Sequence, residues 1–364
     1  MSKKIERTPL QQATDDFIDA NKAPGQTRKQ YVEELRASVK ANNTKALDTL
    51  NDLKNLIVKK IQQETILNIR DEFLKQFIFK APDGNGVQYI KHFIRPGKQF
   101  NANEFIPTAK TEFAHKSYFV KFKEDNGNLA TNSKQWMWSV VIQKSELITY
   151  FINGQMTEFI AKQVEEQLDQ SIKVYFYHNI MEFLKNIQNV KTINGTATNL
   201  FDALTLEILP EINKMKLNTN AYNINQTWTE AIDASKIEDL LLIKNVKTDT
   251  ILKSHIMSQL FNSNNIKLSD YVGQQHTSNY QFNLGGDVVG TNADYYVPED
   301  EIWVIDTSNS VKTPIFLDES GNQEFVNNIS YLSVHHIWFT IDALPWGKMF
   351  KYKNANLNNS PANP

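Results

Sequence analysis

His178 and Glu182 are the residues of this sequence whose types and spacing come closest to a chemical site. On a helix, residues four positions apart lie on one face, where an imidazole nitrogen and a carboxylate oxygen can both ligate a divalent metal ion. No third ligand follows at a supporting spacing. A surface pair is therefore the favoured interpretation, and a metal-assisted enzyme is the alternative.

The other candidates for chemistry have simpler structural explanations. His335 and His336 are neighbours in a predicted strand, so they point to opposite faces and cannot converge on one ion. The glycine-rich loop 285–290 lacks the lysine and hydroxyl residue of a phosphate-binding P-loop. Asp306 and Asp318 follow strands, where turn capping accounts for them. We therefore predict no catalytic residue, no cofactor and no metal ligand.

Composition excludes further classes of protein. The 364 residues include no cysteine, which excludes disulfides, thiolate metal sites and cysteine nucleophiles. A formal net charge of −2 argues against a protein whose main task is to bind nucleic acid. The sequence has no apolar run of membrane-spanning length and no signal-peptide core. We expect a protein that stays in the cell that makes it and has no membrane partner.

The helix that would carry His178 and Glu182 is the most regular segment of the chain, and we call residues 157–185 the spine helix. Its apolar residues recur every three or four positions, which predicts one buried stripe along a helix of about 43 Å. Gly154 separates it from a shorter preceding helix. A helix of this length with one stripe needs a long flat partner such as a sheet. The predicted core residues are Phe159, Ile160, Val164, Leu168, Ile172, Phe176 and Ile180.

The region before the spine helix divides into helical and extended parts. Residues 1–26 predict a flexible arm, and helices follow. One of these helices has an apolar stripe from Leu47 to Ile61. We expect the stripe to pack on its own domain; the alternative is that it packs on a neighbouring subunit. Residues 117–123 and 136–142 alternate with the period of a strand, and a turn signal at 125–128 separates them. We predict a projecting hairpin with its tip at 125–128, which a partner would normally cover.

The region after the spine helix has a mixed pattern. Residues 198–215 predict a helix interrupted near Pro210, residues 236–244 fit a strand or a helical turn, and residues 248–261 predict a helix. Strands are predicted at 301–306 and at 331–341, the latter apolar on both faces, as in a central strand. Residues 354–364 predict a disordered tail.

Four stretches, taken in this order, resemble the major capsid proteins of tailed bacteriophages, which share the Hong Kong 97 fold. Residues 94–100 and 105–107, with Arg95, Lys98 and Phe100, look like the start of the extended loop of that family, the E-loop. Residues 132–138 resemble its aromatic return strand, residues 237–262 are similar to a strand–helix unit of the axial domain, and residues 301–306 and 331–339 look like late strands. The likeness is nearest to the salasvirus type of small short-tailed phages.

The resemblance implies an α+β fold of the Hong Kong 97 type with five parts. They are an N-terminal helical arm (1–78), the E-loop (79–143), a peripheral domain with the spine helix (144–197 and 328–353), an axial domain (198–327) and a disordered tail (354–364). The E-loop would lie over a neighbouring subunit. The residues expected to act in assembly are Arg95, Lys98, Phe100, Tyr118, Phe122, Trp136 and Trp138.

The resemblance also implies a function. The chain would be a major capsid protein, made in the host cytoplasm and found in the virion. Its copies would form pentamers and hexamers of an icosahedral or prolate shell that encloses double-stranded DNA without specific binding, aided by scaffolding and portal proteins. It would not be an enzyme. Another virion structural protein (portal, collar or scaffold) is the alternative, and a metal-assisted enzyme comes after it.

Overall fold

The computed structural model describes residues 8–67, 69, 71–94, 113–124, 128–188, 190–217, 219–225, 234–245, 273–277, 297–326 and 329–358. The fold is mixed α+β, as predicted. The chain divides into two compact units: Met1–Lys75, Gln135–Tyr175 and Phe316–Trp338 form the first, and Gln76–Lys134, Phe176–Ile315 and Phe339–Pro364 form the second. In the described ranges, no helix combines the length and apolarity that a bilayer crossing requires.

The helices are α1 (Pro9–Asn21), α2 (Arg28–Lys40), α3 (Thr44–Leu67), α4 (Lys144–Ile152), α5 (Met156–Asn186), α6 (Leu200–Asp202) and α7 (Leu209–Met215). The strands are β1 (Ile78–Lys80), β2 (Gly86–Ile94), β3 (Phe113–Lys121), β4 (Ser133–Gln143), β5 (Lys191–Asn194), β6 (Leu240–Asn245), β7 (Gly273–Thr277), β8 (Glu301–Asp306), β9 (Val311–Val326), β10 (Ser330–Thr340), β11 (Asp342–Ala343) and β12 (Met349–Lys353).

The N-terminal segment is helical where the sequence predicted a flexible arm. The side chains of Thr8 and Gln11 form a capping box at the start of α1, which satisfies N–H groups that have no partner inside the helix. The guanidinium of Arg28 then holds α1 by ion pairs with Asp15, at 2.6 Å, and Asp19. The prediction of a flexible arm was therefore wrong for residues 9–21. It relied on their polar composition and overlooked the capping residues that start a helix.

In the first unit, β10 lies between β9 and β4. Tyr331 and Ile337 are buried on one face of β10, whereas Leu332, Val334 and Trp338 on the other face are half-buried. The prediction that this segment is a central strand is therefore confirmed. The prediction that both of its faces are buried holds for the face with Tyr331 and Ile337 only. In the second unit, β1 pairs in parallel with the first residues of β9, and β11 pairs with them in antiparallel orientation.

The second unit also contains a sheet with the strand order β5-β12-β8-β6-β7. The ambiguous segment 236–244 resolves into a 3-10 turn, Ile237–Asp239, followed by β6, which is buried throughout. Helices α6 and α7 pack their apolar residues against this sheet. The cluster includes Leu204, Ile208, Ile212, Leu242, Val304 and Phe350.

The hairpin is formed by a different pair of strands from the one that the sequence predicted. β3 pairs with β2 in antiparallel register, and β4 pairs with β10. Residues 125–127 of the predicted tip lie outside the described residues, and an antiparallel bridge joins Lys123 and Leu129 on either side of them. The connection between β2 and β3 runs through residues 95–112, outside the described residues. Turn chemistry is local, whereas strand pairing depends on distant packing, so the turn signal did not reveal the strand with which β3 pairs.

The segment 200–215 runs as one helix with a change of type near Pro210. Residues Ala203–Ile208 form a π turn, in which the N–H of Leu209 bonds to the carbonyl of Leu204. Pro210 stands in the first turn of α7, directly after the π turn. The predicted interruption is thus a π turn just before the proline.

The start of the predicted disordered tail is ordered. Asn354 and Leu357 are buried, and the amide of Asn354 donates to the carbonyl oxygen of Ala197 over 2.8 Å. A buried leucine in a 3-10 turn, Ala355–Asn358, fixes this end of the chain, so the prediction is wrong for residues 354–358. Residues 359–364 lie outside the described residues, as do the predicted helix 248–261 and the loop 285–290.

Candidate assembly surface

The inner face of the β2–β3 hairpin packs on its own unit. Val87 stands opposite Val120, and Tyr89 stands opposite Tyr118. Val120 is fully buried in a cluster with Leu344 and Trp346, against which both tyrosines pack. Residues directly opposite in an antiparallel pair share one face, so this face is the one that anchors the hairpin.

A partly buried hydrogen bond adds to this anchor. The hydroxyl of Tyr118 donates to Oδ2 of Asp342 over 2.8 Å, and the N–H of Ala343 donates to Oδ1 of Asp342 over 2.8 Å. Burial raises the pKa of the Tyr118 hydroxyl, which keeps its proton available for donation. Burial also raises the pKa of the Asp342 carboxyl, against the effect of these hydrogen bonds. The anchor is therefore polar as well as apolar.

The outer face of the hairpin exposes large apolar side chains. Gln88 stands opposite Phe119, and Ile90 stands opposite Ser117, so Ile90 and Phe119 are diagonal neighbours on one face. Ile90 is 52% exposed and Phe119 is 43% exposed. We name these two residues the hairpin outer patch. Neither residue was among the predicted assembly residues, although a phenylalanine at a polar position of the period-two pattern was a signal for this face.

Gly86 makes the close approach at the base of the hairpin possible. Its φ is +135°, a region that L-residues rarely adopt, and a Cβ there would lie 2.2 Å from the carbonyl oxygen of Val120. The N–H of Phe122 bonds to the carbonyl of Asn85 over 3.3 Å beside it. A side chain at position 86 would therefore push β2 away from β3.

The predicted assembly residues fall into three groups. Arg95, Lys98 and Phe100 lie outside the described residues. Phe122 and Trp138 are buried in the core of this chain, so they do not present side chains to a neighbour. Tyr118 and Trp136 are half-buried, and the ring of Trp136 stacks on Tyr175 with centroids 5.2 Å apart.

Strand β4 exposes a second apolar pair. Met137 and Val141 are exposed on one face, together with Gln135, Ser139 and Gln143. This face carries no charge over five alternate positions. Natural edge strands commonly carry charges that prevent pairing with other chains. The face of β4 therefore has the composition of a contact surface.

The spine helix is observed as α5, and the predicted core stripe is its buried face. Ile160, Val164, Leu168, Ile172, Phe176 and Ile180 are buried. Phe159 is half-buried, and its ring stacks on Tyr150 with centroids 4.2 Å apart. In the second unit, the ring of Phe176 meets that of Phe339 of β10 with centroids 4.8 Å apart. Contacts of α5 with strands, through Tyr175 and Phe176, agree with the expected sheet partner.

His178 and Glu182 lie on one helix face, as their spacing predicts, with Nε2 and Oε2 3.9 Å apart. The ammonium of Lys134 is 3.6 Å from the same Glu182 oxygen and 2.6 Å from Oδ1 of Asn179. Burial lowers the pKa of His178 to about 4, and Lys134 lowers it as well, against the effect of Glu182. The ammonium of Lys134 therefore already lies beside the carboxylate of Glu182, and His178 and Glu182 belong to a cluster of charged and polar side chains.

Two of the remaining chemical candidates, Asp306 and His336, have structural partners. Asp306 accepts hydrogen bonds from the N–H of Ser308, over 3.1 Å, and from its hydroxyl, over 2.7 Å, which is turn capping. It also accepts a long-range hydrogen bond from the hydroxyl of Ser235 over 2.6 Å. Nδ1 of His336 lies 2.9 Å from the amide nitrogen of Gln135. Across the described ranges, no three histidine, aspartate or glutamate side chains converge as a metal site would need. This geometry is that of structural polar groups.

No protein-family model and no curated protein matches the chain. Among solved structures, it is similar to a chain in the structure of the head fiber and inner core protein gp22 of native bacteriophage P68, with a TM-score of 0.49 and 12% identity, covering 78% of this chain and 84% of that chain. It is also similar to a chain of the capsid structure of Staphylococcus phage Andhra, with a TM-score of 0.45 and 14% identity, covering 79% of this chain and 85% of that chain. A chain of the bacteriophage PhiM1 mature capsid has a TM-score of 0.44 and 10% identity, with coverage of 79% and 88%. At sequence identities this low, the roles of residues in those proteins cannot be transferred to this chain.

Proposed function

We propose that this chain is a major capsid protein, whose copies assemble into a shell around the double-stranded DNA genome of a phage. The observation that carries the proposal is the two-sided hairpin. Its inner face is fixed to its own chain through Tyr118 and Val120, and its outer face exposes Ile90 and Phe119. A hairpin held in this way offers apolar surface to another molecule, as an overlapping E-loop would.

The order of elements supports the same proposal. Helices α1 to α3 come first, the β2–β3 hairpin second and the long helix α5 third, and the sheet of β5, β6, β8 and β12 follows. This is the order that the sequence resemblance implies. We assign residues 1–78 to the N-terminal arm, 79–143 to the E-loop, 144–197 with 328–353 to the peripheral domain and 198–327 to the axial domain.

The work of such a protein is done by contact area repeated around closed rings, which needs no catalytic residue. Its partners would be copies of itself in pentamers and hexamers, with scaffolding and portal proteins, in the virion. A net charge of −2 suits a shell that encloses DNA without binding it specifically. The metal-assisted enzyme lacks support, because Lys134 lies beside the carboxylate of Glu182.

The hairpin outer patch gives a direct test. The double variant Ile90→Ser, Phe119→Ser should fold normally, because both side chains are about half exposed and lie outside the core. It should sediment as smaller assemblies than wild type when co-expressed with the neighbouring genes. The control is Ile329→Ser, an isoleucine that is 73% exposed in the first unit and lies outside the residues assigned to the E-loop, and it should leave assembly unchanged. Full-size assemblies from the double variant would contradict the proposal.

A further inference from the structure

Strand β4 lies at the edge of its sheet. Among the strands that the structure describes, β4 pairs with β10 alone, and the sheet continues from β10 to β9 and β1. β4 is 11 residues long, about twice the common length of a strand. The outer side of an edge strand carries backbone N–H and C=O groups with no partner in its own sheet, to which another strand can bind.

Two backbone hydrogen bonds show which residues of β4 face this edge. The N–H of Ile341 bonds to the carbonyl of Asn132 over 3.4 Å. The N–H of Lys144 bonds to the carbonyl of Ile329 over 2.9 Å. The two strands are therefore antiparallel, and in such a pair every second residue bonds to the neighbouring strand. Since Asn132 and Lys144 are both even-numbered, the even-numbered residues of β4 bond to β10. The residues whose backbone groups face the open edge are Gln135, Met137, Ser139, Val141 and Gln143.

The side chains of the same five residues are exposed. Met137 is 62% exposed and Val141 is 51% exposed. None of the five is charged, although charged side chains, lysine above all, are the usual protection of an edge strand. The nearest charges along the chain are Lys134 and Lys144, which flank the segment. Residues 135–143 thus offer both free backbone groups and uncharged side chains.

These five side chains are arranged symmetrically by type about Ser139. If two β4 strands pair antiparallel with Ser139 at the centre, Met137 of one copy stands opposite Val141 of the other. Gln135 then stands opposite Gln143, and such like pairs stabilise a sheet. A register two residues away places Met137 opposite Ser139 or Gln143. A register one residue away brings exposed side chains to the buried face of the other copy. The symmetric register is therefore the favoured one.

We propose that β4 forms a two-fold contact between copies of this chain, in which two β4 strands pair antiparallel over residues 135–143. The axis passes through Ser139, perpendicular to the sheet, and brings the same surface of both copies together, as an isologous contact requires. The symmetry selects a second copy as the occupant, because an unrelated strand would have no reason to match it. Lys134 of one copy would stand opposite Lys144 of the other, and these like charges limit the pairing to the segment between them.

This contact deepens the proposed function and rests on it for the many copies that a shell brings together. It is nevertheless measured separately, because the register of two strands and the formation of closed shells have different readouts.

The lack of cysteine in the sequence allows single cysteines to report the register. Ser139→Cys should form a disulfide between copies when copper–phenanthroline oxidises the thiols, because opposite Cα atoms lie about 5.5 Å apart. Gln135→Cys alone should not, because its two copies would be about 27 Å apart, eight residues along the strands. A mixture of Gln135→Cys chains and Gln143→Cys chains should again form disulfide-linked pairs. Non-reducing electrophoresis measures all three.

Charged substitutions at the central apolar pair give a second test. Met137→Lys and Val141→Glu should each weaken self-association about tenfold, measured by sedimentation equilibrium, because each places a charge opposite an apolar side chain. The double variant in one chain should restore association, since each introduced lysine then stands opposite an introduced glutamate of the other copy. Ile329→Lys, at an isoleucine 73% exposed outside β4, is the matched control and should associate as wild type does.

The outcomes separate this contact from the proposed function. No disulfide from Ser139→Cys, or equal disulfide formation from Gln135→Cys alone, would overturn the contact. A double charge variant that associates no better than the single ones would overturn it too. Shells that form without the Ser139→Cys disulfide would refute the contact and leave the proposed function standing. Disulfide-linked pairs in a protein that never forms shells would support the contact and contradict the proposed function.

Discussion

The hydroxyl of Tyr118 donates to the carboxylate of Asp342 over 2.8 Å, although 224 positions separate the two residues in the chain. The bond joins the β2–β3 hairpin to β11. It explains how a hairpin can expose Ile90 and Phe119 on its outer face without separating from the second unit. The same bond is the first feature that mutation can test.

Tyr118→Phe should destabilise the protein by about 1–2 kcal/mol, because it leaves a partly buried carboxylate without one of its donors. Asp342→Asn should cost a similar amount, and the double variant should cost less than the sum of the two. Chemical denaturation measures all three free energies of unfolding. Strict additivity in this cycle would show that the two side chains do not interact.

His178 should make stability depend on pH. Burial lowers its pKa to about 4 in the folded protein, from 6.5 in an exposed histidine. As the pH falls from 6.5 towards 4, the unfolded chain takes up a proton that the folded chain does not, so the free energy of unfolding decreases. Glu182 and Lys134 are the charged groups that act on it.

His178→Gln should remove this dependence, so that the stability of wild type relative to the variant decreases by about 2–3 kcal/mol between pH 7 and pH 4. Urea unfolding at several pH values gives both curves. Comparing the variant with wild type cancels the titration of all other groups. Parallel curves would mean that His178 is protonated equally in both states.

Gly86→Ala should destabilise the hairpin more than the equivalent change at Gly25. Both glycines have positive φ, +135° and +83°, but a Cβ at Gly86 would meet the carbonyl oxygen of Val120 at 2.2 Å and a Cβ at Gly25 would meet nothing within 4 Å. Gly25→Ala should cost about 1 kcal/mol for the backbone alone. Gly86→Ala should exceed it by a further 1–3 kcal/mol or so. Equal losses would exclude the close approach at the base of the hairpin.

Periodicity allowed the spine helix to be predicted from the sequence. The stripe from Ile160 to Ile180 repeats with the helical period, and the same residues are buried in α5. Strand β10 was likewise visible because Tyr331, Ile337 and Phe339 recur with the period of a strand. The spine helix and β10 depend on residues that are close together in the chain, so the local periodicity of the sequence is enough to predict them.

The pairing of the hairpin and the exposed surfaces could not be predicted in this way. The turn signal at 125–128 is a local feature of the sequence, whereas β3 pairs with β2 because its inner face packs on Leu344 and Trp346, which are distant in sequence. The tail at Asn354 is ordered through Ala197, again a distant partner. Leu206 faces solvent because a π turn shifts the helical register, and periodicity assumes a regular helix.

The central claim, that this chain assembles into shells, is tested most directly by negative-stain microscopy with light scattering. The purified protein should be examined alone and after co-expression with its genomic neighbours. Closed shells, or rings of five and six subunits, are the predicted result. A folded protein that stays a monomer or dimer in every co-expression would contradict the account.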